Sequence, residues 1–104
     1  MTVIGNKVNA TQKAGKATVG ESSVTVLAAN ENRNGCLIVN ASSHTIYLSL
    51  GAPATAESGI ALTAGGSWDG CLGDALLRGI VWSGSVTAIC PGGGASNPLT
   101  VVEV

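Results

Sequence analysis

The sequence predicts an all-β fold: a small β-sandwich or barrel of six to eight short, mostly antiparallel strands, preceded by an extended N-terminal arm. Three observations point there. Apolar residues alternate with polar ones at period two in several short runs. Clusters of Gly, Asn, Ser and Pro punctuate those runs at regular spacing. The one candidate helical turn, Asp74 to Arg78, is too short to stand alone. At 104 residues the chain holds one core and no more. With no Phe and only two Trp and one Tyr, that core must be aliphatic.

Residues 1–21 read as the arm. Val3, Ile4, Val8 and Val19 are spaced too irregularly for either period, and Lys7, Lys13 and Lys16 sit among small polar residues. Such a segment reads either as a frayed terminus with no role or as one that orders only on a partner, with its lysines facing an acidic neighbour. The β-domain, residues 22–104, begins with a strand at Val24 to Ala28. The Asn30 to Gly35 loop follows, where Asn34-Gly35 tolerates positive φ. Cys36 to Asn40 is apolar on both faces and predicts a central strand. Ser42-Ser43 turns the chain into the clearest strand, where Ile46, Leu48 and Leu50 alternate with Thr45, Tyr47 and Ser49. Pro53 blocks continuation through the Gly51 to Gly59 loop. Short strands are predicted at Ile60 to Thr63 and from Ser67 to about Leu72, with Gly65-Gly66 as the turn between them. Arg78 to Cys90 predicts a strand kinked at Ser83-Gly84. Pro91 ends it, a glycine-rich loop follows, and Leu99 to Val104 closes the domain. The core is expected on Leu37, Val39, Ile46, Leu48 and Ile89.

Five Lys plus Arg against six Asp plus Glu give a net charge of −1, so no basic stripe exists for nucleic acid or anionic lipid. Charged residues are 11% of the chain, against roughly 25% in ordinary soluble domains. So much uncharged surface suits an interface, and a core this small suits oligomerisation. No apolar run approaches the ~18 residues of a membrane span, and the start lacks a secretory signal; the expectation is a cytosolic protein. Cys36, Cys71 and Cys90 are odd in number and lack C-x-x-C spacing, which predicts buried thiols in place of a disulfide framework or a zinc site.

Catalytic chemistry finds little footing. The lone His44 sits at a turn with no arrangement for activating a nucleophile. Asp69 and Asp74, the one local carboxylate pair, lie beside glycine-rich turns where Asp serves the backbone. Gly92 to Gly94 lacks the following Lys-Ser/Thr and helix of a phosphate loop. The sequence therefore predicts a binding protein: not an enzyme, with no catalytic, cofactor or metal residues and no small-molecule substrate. The residues best suited to a partner interface are Ile4, Lys7, Lys13, Lys16, Arg33, Tyr47, Trp68, Arg78 and Trp82. A carbohydrate-binding module is an alternative, requiring Tyr47, Trp68 and Trp82 to line one exposed face.

The run Leu27 to Gly51 carries Asn30, Asn32 and Arg33 in a loop, then an apolar strand ending at Asn40, then Ile46-Tyr47 closing on Gly51. Gly59-Ile60-x-Leu62, Gly65 to Trp68, Ala88 to Cys90 and Thr100 to Glu103 continue the pattern. Over about residues 22–104 this resembles small β-rich structural proteins of tailed-bacteriophage virions. The resemblance implies a capsid cement or decoration protein, often a homotrimer, binding the major capsid protein and its sister subunits. It would be assembled in the bacterial host cytoplasm and located in the virion. A tail, baseplate or neck component is the alternative within the same particle.

Overall fold

The computed structural model describes residues 12–70 and 81–104. Among them the chain forms eight strands: β1 (Lys13–Val19), β2 (Val24–Leu27), β3 (Cys36–Asn40), β4 (Ile46–Leu50), β5 (Ile60–Leu62), β6 (Ser67–Asp69), β7 (Val86–Ile89) and β8 (Asn97–Glu103). They make two antiparallel four-stranded sheets, β1-β8-β3-β6 (sheet A) and β2-β7-β4-β5 (sheet B). The pairings nest: β1 with β8, β2 with β7, β3 with β6 and β4 with β5. Two more, β3 with β8 and β4 with β7, knit these pairs into sheets. A ribbon folded on itself and then rolled gives this order, which is that of a jelly roll. The predicted all-β class therefore takes its sandwich form.

One apolar cluster joins the sheets. Val19, Ile38, Leu99 and Val101 of sheet A meet Ile46, Leu48, Leu62, Val86 and Ala88 of sheet B. Ile38, Ile46, Leu48 and Leu99 are fully buried, each contributing about 1.5–3 kcal/mol of burial. Ile46 and Leu48 hold the core positions that their alternation predicts. Leu37, Val39 and Ile89 do not. Leu37 is 41% exposed, whereas Cys36, Ile38 and Asn40 point inward. A strand apolar on both faces gives no parity signal. Asn40 shares the inward parity, and its buried amide is fully bonded there, to the carbonyls of His44, Leu62 and Thr63. Ala88 in β7 and Cys90 just after it are buried, and Ile89 between them is half-buried.

Two extents differ from expectation. Lys13–Val19 is not a separate arm but an edge strand, paired along its whole length with β8, from Lys13 opposite Glu103 to Val19 opposite Asn97. Within β1 only Ala17 and Val19 reach the core, as befits an edge strand, while Val3, Ile4 and Val8 lie outside the described residues. The long strand predicted for Arg78 to Cys90 is regular only from Val86. Before it, Trp82 folds back so that its Nε1 donates to the Ser85 carbonyl at 3.0 Å. Its ring occupies the space of a Gly84 side chain, where a Cβ would stand 2.6 Å from Trp82 Cζ2. The candidate turn at Asp74 to Arg78 lies outside the described residues.

Candidate functional site

Arg33 leaves the β2–β3 loop and is buried, although it is charged. Its Nε donates to Glu103 Oε2 at 2.7 Å, at the end of β8. Nη1 donates to the carbonyls of Trp82 (2.6 Å) and Gly84 (3.0 Å), and Nη2 to that of Ala28 (2.6 Å). Asn30 adds a bond to the same Glu103 oxygen. One guanidinium thus ties the β2–β3 loop, the segment before β7 and the end of β8 together. The Arg33 hydrogen bond holds the Glu103 carboxyl below its ordinary range; burial opposes this, while Asn30 and the charges of Arg33 and Lys13 reinforce it. Arg33, predicted at a partner interface, has its donors committed inside the fold.

The other end is fixed by amides. Asn40 Nδ2 donates to the carbonyls of His44, Leu62 and Thr63, and its Oδ1 accepts from the Ser42 backbone N–H and hydroxyl. Asn97 Nδ2 donates to the carbonyls of Val19 and Gly94. Cys36 and Cys90 are buried as expected; burial pushes the Cys90 thiol up, and the Glu21 charge adds to it. Cys71 lies outside the described residues.

The three aromatic residues do not share a face. Trp68 lies on β6 opposite Ile38 and packs against the core. Tyr47 projects from the outer side of sheet B, between Ala61 and Ile89. Trp82 is held in its connection by the bonds described above. The sugar-stacking platform weighed from the sequence is not assembled. Of the remaining predicted interface residues, Ile4, Lys7 and Arg78 lie outside the described residues, and Lys13 and Lys16 stand on β1.

Two surface features formed by the described residues bear on binding. A shallow depression of ≈ 390 Å³ on sheet B is lined by Ser23, Thr25, Ala52, Pro53, Ser85 and Thr87, among others. Its Thr87 hydroxyl is committed to the Ala52 carbonyl at 2.6 Å, and Ser23 Oγ accepts from the Ala54 N–H. The other is an open cleft of ≈ 210 Å³ lined by residues of β1 and β2, edge strands of the two sheets, and of β8. Val26, Leu27 and Val101 form its apolar floor, Lys13 and Lys16 its rim, and Glu103 one end. Neither lysine is ion-paired among the described residues. The sequence flagged the lysines but not the floor. Gly15, a residue without a side chain midway along β1, was the signal that could have found it.

These features define a jelly-roll sandwich with internally committed polar clusters at both ends and an open cleft along one side. No protein-family model, curated protein or solved structure matches the chain.

Proposed function

We propose that this chain is a structural protein of a tailed-phage virion, a capsid decoration or cement protein that binds the major capsid protein and sister subunits, as a homotrimer. The observation that carries the reading is where the phage-like residues fall. Asn30, Arg33 and Glu103 form the cluster at one end, Asn40 holds the turns at the other, and Gly51, Gly59 and Gly65 adopt φ of 78°, 89° and 79°. The pattern is therefore a pattern of fold-determining positions. The fold it determines, the eight-stranded jelly roll, is one that viral shells use repeatedly; this support is by architecture, and a fold hosts many functions.

A decoration protein works by repetition. Modest contacts made at every lattice point raise shell stability through multivalency and mass action, and a weakly charged surface suits docking on such a lattice. The test is copy number and position in purified particles, read by imaging and quantitative gel densitometry. Hundreds of copies on the head are expected. A handful of copies in the tail, or absence from the particle, refutes the assignment. Removing residues 1–11, which leaves β1 intact, then asks whether the preceding segment is needed for incorporation.

A further inference from the structure

We infer that the free edge of β1 is a docking site for an acidic, extended segment of another protein, which adds to sheet A as a fifth strand. β1 offers seven residues, and all pair with β8 on one side only. Among the described residues no strand pairs with its other side, so that edge presents a row of backbone donors and acceptors of the kind strand addition uses.

Two further observations give the edge a preference. The first is the gap at Gly15. Its neighbours on the inner face, Lys13 and Ala17, carry side chains, but a Cβ built at Gly15 would meet no atom within 4 Å. The gap opens onto Val26, Leu27 and Val101. An added strand could therefore place one apolar side chain there, anchoring its register. The second is charge. Lys13 and Lys16 rim the cleft, and Glu103, the one acidic residue among the described residues that line it, is already paired to Arg33. Two copies of β1 joined edge to edge would bring four lysines into one short ribbon; an acidic strand neutralises them. Like charge thus disfavours a second copy and favours an acidic partner. The inference rests on the reading of this chain as a binding protein and supplies the mode of contact.

The test uses the full chain labelled with ¹⁵N and two seven-residue probes. One is an acetylated, amidated peptide with a central Val for the Gly15 gap and Glu on both faces of the strand around it, since Lys13 and Lys16 lie on opposite faces of β1, and the other has Lys in place of Glu. The acidic probe is expected to shift the amide resonances of residues 13–19 and to protect them from exchange, with binding that weakens as salt is added. The Lys probe is expected to do neither. Gly15→Val, whose backbone φ lies outside the left-handed region, should fold with an unchanged or raised Tm and bind the acidic probe about tenfold or more weakly, equivalent to about 1.4 kcal/mol. Lys13→Glu with Lys16→Glu should reverse the preference between the probes. Equal response to both probes, shifts mapping away from β1, unaltered binding by Gly15→Val, or self-association through β1 would each overturn the inference. Co-sedimentation with phage heads separates the two readings. Wild-type and Gly15→Val proteins that sediment equally leave the decoration role standing without the edge. Probe binding at β1 without head binding leaves the edge standing without the phage role.

Discussion

Arg33 shows how a charged residue becomes structural. A buried guanidinium is tolerable only when its N–H groups and its charge are both answered; here three carbonyls and one carboxylate answer them. Arg33→Ala leaves those acceptors without their donor, and a loss of about 3–5 kcal/mol is expected for breaking a buried pair, measured by urea unfolding followed by circular dichroism. The same cluster sets a pH dependence. The Glu103 carboxyl titrates lower in the folded chain than in the unfolded one, so the unfolded state binds the proton more readily. Its stabilising contribution is complete above the ordinary glutamate range and disappears as the pH falls through the folded value. Glu103→Gln should flatten that part of the stability profile, and a wild-type slope retained in the variant would contradict the assignment. The sequence displayed Arg33 and Glu103 but not their meeting. They lie 70 positions apart, and local pattern carries no information about such a closure.

At the level of the strand, legibility depended on contrast between faces. β4 was readable because polar and apolar residues alternate, and Ile46 and Leu48 are buried as that alternation requires. β3 was readable as a strand and unreadable in parity, since Leu37, Ile38 and Val39 are all apolar. A one-residue error in parity exchanges core for surface. Ile38→Ala should therefore cost about 2–5 kcal/mol, and Leu37→Ala should stay near the ±0.5 kcal/mol typical of surface changes. Paired denaturation curves decide it, and equal losses would mean that both faces of β3 are packed. β1 was missed for a different reason. An edge strand needs few apolar side chains, and its identity comes from the hydrogen bonds that β8 offers. The cleft beside β1 was equally hidden, because its floor is assembled from β2 and β8, far apart in sequence.

Across the whole molecule the nested pairing governs how the structure forms. β8 lies between β1 and β3, so sheet A cannot be completed until the last strand joins the first. Contacts of such sequence separation are slow to make, and refolding in the millisecond-to-second range is expected in stopped-flow fluorescence of Trp68 and Trp82; a microsecond phase carrying the full amplitude would contradict it. The class and the approximate bounds of β2 to β6 were legible from turn chemistry, whereas β1, the start of β7 and the assignment of strands to sheets were not. The glycine-rich connection between β7 and β8 makes a practical use of this arrangement. Gly92 and Gly94 face open space, and Ala95 and Ser96 are exposed, at the end of the sandwich opposite the Arg33 cluster. Lengthening a loop raises its closure cost only logarithmically. A foreign epitope spliced between Ala95 and Ser96 would thus be carried outward on this inter-sheet loop while both flanking strands kept their register, making the connection the natural graft point for turning the domain into a display scaffold.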